Sequence, residues 1–541
     1  MKRNIWKKAC CIPLIAAMLT GIGSVGVMAA QIDEESAVAQ TPEATFESET
    51  LPTQYSSVDL GYVTPVKSQQ YNSCWAHASM ATLESFLMRN GIDCGDMSVN
   101  HLNIWASQRS NGKGWTRDIY SDAYPVTALG YLTSWQGGVM VSDLEDDVLD
   151  DSITGDMVAT DLARYGVTAV RYLSKDNPEE IKRAIRDCGG AFSSYANAGQ
   201  CWSSDKLSYY MPPSFSDAYA GHSIEVVGWD DSYSRDNFDG SVGAKPVNNG
   251  AWLIKNSWGD NNSLGGYFWI SYEDAWLFST KFKPSYALCG FEELDGTKKL
   301  IQNEIYGATY EFNYLWQPSI TYMNRLHFDA DYDLIDKVMF KTDAVGAEYS
   351  VYYVPDDDSG IPTGDASAWT KLCGGTTEYA GYICADLDDF AFPDAVGTIA
   401  VTIDCTATGG QSSIGVGEWL TSSSKMVFLN ESERGESYIM QNGAVQDLMD
   451  WYAQDNNDDI GGTFVIKAIT KKSPVTLLGD ANFDGKVDVR DVTEIQRYCA
   501  NFANLSGSAK ANADFNQDGR ISIDDVTKMQ RALAGFEDET I

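Results

Sequence analysis

A twelve-residue loop that occurs twice sets the tightest limit on how this chain can fold. Asp480, Asn482, Asp484, Asp488 and Asp491 stand at loop positions 1, 3, 5, 9 and 12, with Gly485 at 6 and Lys486 at 7. The pattern returns 34 residues later as Asp514, Asn516, Asp518, Ser522 and Asp525, with Gly519 and Arg520 between. Carboxylates and an amide at this spacing, with the position-7 carbonyl, suit a hard cation that takes about six to eight oxygens, and the Gly permits the sharp turn inside the loop. Each loop runs into a matching helix start, Asp491-Val492-Thr493 and Asp525-Val526-Thr527. The unit is too small to bury a large core, so ion binding is expected to supply much of its folding energy.

Position 12 holds Asp where helix–loop–helix sensors have Glu, and no helix is predicted before the first loop. Residues 478–536 therefore resemble a type I dockerin, the module by which extracellular enzymes of anaerobic bacteria attach to cohesin domains of a scaffold protein. The resemblance implies two structural Ca2+ ions and a cohesin partner. It places the cohesin-facing residues at Val489, Arg490, Gln496 and Arg497 in one half and at Ile523, Asp524, Gln530 and Arg531 in the other. The repeated Gln-Arg pair lets either half, turned over, offer nearly the same face; Arg490 against Asp524 breaks the equivalence.

At 541 residues the chain is long enough for three folded units. Its 76 Asp+Glu against 39 Lys+Arg, a formal charge of −37, exclude a phosphate-backbone partner such as nucleic acid. Residues 1–30 read as an export signal: Lys2, Arg3, Lys7 and Lys8, then the apolar run Ile12–Leu19, then Val27-Met28-Ala29-Ala30. No later stretch is long and apolar enough to span a membrane. Residues 31–55 form an acidic leader, and 56–288 read as an α+β domain with helices at Cys74–Met88 and Pro178–Arg186 and strands at Ile224–Trp229, Ala251–Lys255 and Tyr267–Tyr272. Short β-rich runs over 292–472, among them Lys337–Phe340, Tyr349–Val354, Thr398–Ile403 and Thr463–Ile469, read as a β-sandwich. The predicted fold is multidomain: α+β, β-sandwich, then the small helical two-calcium unit.

Nine Cys follow the signal, an odd number with no CxxC, so at least one thiol stays free if the others pair. Cys74 opens an apolar-periodic helix, where the positive end of the dipole favours a thiolate. Val63-Thr64-Pro65-Val66-Lys67, Gln69 and Cys74-Trp75-Ala76 resemble the nucleophile segment of papain-like cysteine peptidases. Gly221-His222-Ser223-Ile224 then resembles the family's base on a strand, and Lys255-Asn256-Ser257-Trp258-Gly259 its orienting amide. What the resemblance implies is a secreted endopeptidase. Cys74 attacks the peptide carbonyl, His222 carries the proton, Asn256 orients His222, Trp258 shields that bond, and Gln69 with the Cys74 N–H binds the oxyanion. Gln69 lies one residue closer to Cys74 than the family pattern has it, which leaves Gln70 as the alternative donor. Gly137 and Gly138, after Trp135 and Gln136, occupy the place expected to receive extended substrate backbone. His77, His101 and His327 lack the strand-and-amide setting.

The leader is far shorter than papain's inhibitory propeptide. The longer stretch between His222 and Asn256 and the β-rich middle resemble the bacterial branch in which a lectin-like domain follows the peptidase, which adds a glycan as a possible partner beside protein or peptide substrates. Two alternatives stay open: a catalytically silent peptidase-like binding module, and a scaffold-attached polysaccharide-degrading enzyme, for which no specific carboxylate pair stands out.

Overall fold

The computed structural model describes residues 50–536 except 113, 145–148, 150–153, 159, 314, 393–394, 418–427, 430–431, 454–460, 474–475, 504 and 506. The export signal, most of the acidic leader and much of the acidic run 143–151 lie outside the described residues. In the first domain α1 (Cys74–Arg89), α2 (Val99–Trp105), α3 (Pro125–Thr133) and α4 (Pro178–Cys188) pack beside β1 (Gln54–Ser56), β2 (Tyr165–Leu173), β3 (Ala191–Asn197), β4 (Ala220–Asp230), β5 (Ala251–Lys255), β6 (Tyr267–Ser271) and β7 (Ser285–Glu293). Most of α1 is buried, including Trp75, Met80, Leu83, Phe86 and Leu87, as expected for a helix that is apolar on nearly every side. Pro at the first turn and the Asn177 side chain, which accepts from Glu180 N–H, start α4; Gly189 at φ 86° ends it.

The β-rich middle contributes β8 (Lys298–Ile301), β9 (Ser319–His327), β10 (Leu334–Thr342), β11 (Glu348–Val354), β12 (Thr370–Thr376), β13 (Gly381–Ala391), β14 (Val396–Asp404), β15 (Ser437–Gln441), β16 (Ala444–Asp447) and β17 (Ile466–Lys471). Two sheets result. A six-stranded one runs β12-β11-β14-β9-β15-β16. The other runs β8-β17-β10-β13 and then, without a break, β2-β7-β3-β4-β5-β6 of the first domain, because Gly381 and Tyr382 pair with Arg171 and Val170. Between the sheets Ile320, Tyr322, Val338, Phe340, Val351, Ile399 and Val401 form the sandwich core. The predicted run Thr463–Ile469 is split into Thr463–Phe464 and β17, which serve different sheets.

A shared core ties the two domains together: Tyr306, Met339, Tyr382 and Ile469 join Trp105, Trp115 and Tyr131 in one cluster. Gly130 is required there, since a Cβ would come 2.0 Å from the Tyr306 carbonyl oxygen. The C-terminal unit is separate in its packing. Its α5 (Val489–Cys499), α6 (Ser508–Ala513) and α7 (Ile523–Leu533) enclose a small core of their own around Val492, Ile495, Phe515, Val526 and Met529.

Candidate active site

Sheet register brings the sequence-predicted trio together. β3 and β4 pair Tyr195 with His222, and β4 and β5 pair Glu225 with Lys255, so the chain leaving β5 carries Asn256 toward His222. His222 Nε2 lies 2.9 Å from Asn256 Oδ1, which also accepts the Ser257 N–H at 2.8 Å. An oxygen that can only accept fixes the tautomer: Nε2 carries the hydrogen, and Nδ1 is left as the acceptor. The Trp258 indole stacks on the imidazole with centroids 4.6 Å apart and covers this bond.

Cys74 sits at the start of α1, where the first N–H groups have no intrahelical acceptor. Burial pushes its thiol up; the Ser223 N–H and hydroxyl and the Trp75 N–H favour the thiolate, and the charge of Asp122 opposes it. Burial likewise lowers His222 to about 4, against its Nε2–H bond to Asn256 Oδ1, which raises it. Ser223 and Asp122 were not singled out from sequence. Ser223 follows His222 directly, so adjacency to the base was the one signal available for it, strand alternation turning its side chain away from that of His222; Asp122 reaches the site only through the fold.

Gln69 is held beside the same turn. Its N–H donates to Tyr71 O at 2.9 Å, its Oε1 accepts from Ser257 Oγ at 2.6 Å, and its backbone N–H donates to Ser257 O at 2.7 Å. Gln70 is exposed and reaches Ser68 O at 3.3 Å. Gly137 and Gly138 are a correction to the sequence expectation. Both are buried in the turn after α3, where a Cβ on Gly137 would enter the Tyr131 ring and the Gly138 carbonyl is taken by Arg164 N–H, so neither is open to a substrate backbone. His77 Nδ1 is bonded to Ser73 O at 3.0 Å and buried His101 to Tyr131 OH at 2.8 Å; His77 lies near enough for its charge to act on His222 but makes no bond to the trio. Trp369 packs with Tyr352 and donates to Thr363 O, whereas Trp316 is 76% exposed.

The two repeated loops are near copies in space. Asp480 Oδ2 accepts Gly485 N–H and Asp514 Oδ2 accepts Gly519 N–H, at 2.9 and 2.8 Å. Asp491 and Asp525 are fully buried and accept the N–H groups of Asn482 and Asp488, and of Asn516 and Ser522. Among the described residues no three His, Cys, Asp or Glu side chains converge into a metal site on their own. A calcium loop also recruits amide, carbonyl and water oxygens, and buried carboxylates such as Asp480, Asp491 and Asp525 need a positive partner, so the donor set fits such an ion. Val489, Arg490, Gln496, Arg497, Ile523, Asp524, Gln530 and Arg531 are all exposed. Arg490 pairs with Asp488 at 2.8 Å and Asp484 at 3.1 Å, contacts that Asp524 cannot make.

A thiol at a helix start, an imidazole and an amide on facing strands define the class: a cysteine-peptidase fold. Comparison places it more closely. The chain matches the papain family cysteine proteases over residues 51–288, a lectin-like domain over 301–470 and a type I dockerin domain over 478–534. It is 35% identical to the clostridial cysteine protease Cwp84 after propeptide cleavage, covering 78% of this chain and 99% of that one at a TM-score of 0.68. A structure of the cysteine protease and lectin-like domains of Cwp84, a surface layer associated protein of Clostridium difficile, matches at 34% identity, 79% and 90% coverage and a TM-score of 0.68. Procathepsin L of Felis catus is 26% identical over 231 residues, which span 39% of this chain and 59% of the relative. Cathepsin L2 of Homo sapiens is 25% identical over 215 residues, with 58% of its length spanned, so the chain covers less than two thirds of these curated relatives. The chain belongs to the papain family of cysteine proteases, joined to a lectin-like domain and a type I dockerin. No described helix is long and apolar enough to cross a membrane.

Proposed function

We propose that this protein is a secreted cysteine endopeptidase that docks onto a cohesin-bearing scaffold through its calcium-loaded dockerin. The observation that carries the catalytic reading is the His222 Nε2 to Asn256 Oδ1 bond, which leaves Nδ1 to take the Cys74 proton. Burial disfavours either charge alone; proton transfer from Cys74 to His222 creates both together, so each neutralises the other. The thiolate attacks the peptide carbonyl, and the imidazolium then protonates the leaving amine. Gln69, fixed by Tyr71 and Ser257, and the Cys74 N–H are assigned to the oxyanion. One Ca2+ in each loop would supply the positive partner for the buried carboxylates, with Asp480, Asn482, Asp484, Lys486 through its carbonyl, Asp488 and Asp491 in the first and Asp514, Asn516, Asp518, Arg520 through its carbonyl, Ser522 and Asp525 in the second. The test is Cys74→Ala in the full chain, which should abolish casein hydrolysis and leave cohesin capture intact; hydrolysis that survives would sink the mechanism.

A further inference from the structure

Beneath the active site a row of buried charges runs through the peptidase. Alternation along β4 puts Ser223 and Glu225 on the face opposite to His222, the face that packs on α1: Ser223 reaches Cys74, and Glu225 lies against Glu84 and Ser85. The register partner of Glu225 on β5 is Lys255, whose ammonium stands 3.7 Å from the carboxylate. Lys255 Nζ donates to Thr64 Oγ1 at 3.0 Å, and Thr64 Oγ1 donates to Glu84. Glu84 also accepts from Lys67 Nζ at 2.7 Å and from Met97 N–H at 2.9 Å. Glu84, Glu225 and Lys255 are all buried.

Each charge is tied to a residue of the site. Lys67 comes two residues before Gln69, α1 carries Glu84 and begins at Cys74, Glu225 shares β4 with His222, and Asn256 follows Lys255 directly. A cavity of about 20 Å³, room for about one water, takes its walls from both groups: Lys67, Glu84 and Lys255 together with Ser223, Asn256 and Ser257. Lys67, Glu84, Lys255 and Glu225 cancel in charge, and Asp96 meets Lys67 at the exposed end. A buried ammonium needs an anion, and Glu84 is engaged by Lys67, Thr64 and Met97, so Glu225 is the carboxylate left to Lys255. Without it Lys255 would be drawn toward Glu84 or water, and Asn256 would move with it. Tyr267 of β6 also faces Glu225, as does the Gly190 backbone, where a Cβ would come 2.3 Å from Glu225 Oε1. Burial pushes the Glu225 carboxyl up to about 7, against Lys255 and the Ser85 hydroxyl, while the like charge of Glu84 adds to the rise.

We propose that Glu225 is a positioning residue for the reaction: by holding Lys255 it fixes the strand exit that carries Asn256, and through Asn256 the orientation of His222. This rests on the peptidase reading and adds to it a residue that touches neither the substrate nor the reacting atoms. The carboxylate that holds Lys255 is present above about pH 7 and is lost as pH falls through that value.

The test compares wild type with Glu225→Gln in the full chain. At pH 8 the variant should lose about tenfold or more in kcat with little change in KM, the scale of a small displacement of a reacting group. At pH 5, where wild type has lost the carboxylate too, the two should converge. Equal kcat at pH 8, or a loss of the same size at both pH values, overturns the proposal. Should Glu225→Gln fail to fold in a urea titration, the charge-free pair Glu225→Leu with Lys255→Met replaces it; a step in kcat near pH 7 that survives there also overturns the proposal. Independently of turnover, alkylation of Cys74 by iodoacetamide is followed by peptide mass. The wild-type to Glu225→Gln rate ratio should rise from near one at pH 5 to about tenfold at pH 8, and a ratio flat with pH overturns the positioning role. A wild type that cleaves no peptide would count against the peptidase reading, while the alkylation ratio still decides on Glu225.

Discussion

At the scale of single residues, His222 and Cys74 decide the pH behaviour. With His222 lowered to about 4, protonation below that value leaves a cationic imidazole beside a neutral thiol, and Nδ1 can no longer accept the Cys74 proton. The acid limb of kcat/KM is therefore expected near pH 4, with activity rising as pH climbs through it. The Asn256 bond holds His222 up, so Asn256→Ala should move that limb to lower pH while reducing kcat; a pH–rate profile with peptide substrate reads both, and a limb that moves up would contradict the assigned bond. Gln69→Ala should cost kcat on the order of a hundredfold with a small change in KM, the signature of a lost oxyanion donor, whereas Gln70→Ala, at an exposed site, should not. Cys74, His222 and Asn256 were legible in sequence because each sits in a short local setting that carries its own chemistry: a helix start, a strand, a strand exit. Ser223 and Asp122 were not, since their influence on Cys74 arises from tertiary contact.

Secondary-structure elements show where local reading stops. α1, α4 and β5 lie close to their sequence-predicted spans because apolar periodicity, Pro and cap residues act within a few positions. The pairing of β13 with β2 has no such local cause: the partners are some 210 residues apart, and nothing in either strand names the other. Gly137 and Gly138 failed for a related reason, as a Gly-Gly pair permits a close approach without saying what approaches; here it is the Tyr131 ring at Gly137 and the Tyr165 carbonyl at Gly138. The joint between domains is pinned by Lys467 of β17, which is 2.6 Å from Glu304 and 2.8 Å from Ser134 Oγ at the end of α3, all fully buried. Lys467→Met would strand the Glu304 carboxylate without its partner and is expected to cost about 3–5 kcal/mol, while adding Glu304→Leu should recover part of the loss. Urea unfolding followed by tryptophan fluorescence checks both, and a single transition for peptidase and sandwich is expected because their sheet and core are shared. Two resolved transitions would separate the domains energetically.

For the whole molecule, the packing divides into one large body and one small one. The C-terminal unit has its own core and meets the sandwich through polar contacts such as Lys510 with Asp331 at 2.9 Å, so its folding can be lost without disturbing the sheet that carries His222. The formal charge of −37 divides in the same way: Asp480, Asp491 and Asp525 inside the two loops are buried and demand a counter-charge, whereas surface acids such as Asp357, whose carboxyl is held below its ordinary range by Ser359, remain solvated. Chelation should therefore act on one body alone. Excess EDTA is expected to remove the far-UV helical signal of residues 478–536 and abolish cohesin capture, since an ion-dependent core this small has little else to hold it. Casein hydrolysis, measured in the same samples, should persist, because none of Cys74, His222 and Asn256 draws on the loops. Restoring Ca2+ should restore capture, and Mg2+ should do so poorly because it demands a tighter octahedral set of oxygens. Capture that survives chelation would remove the ion from the docking argument, and hydrolysis that fails with it would show that the small body supports the large one.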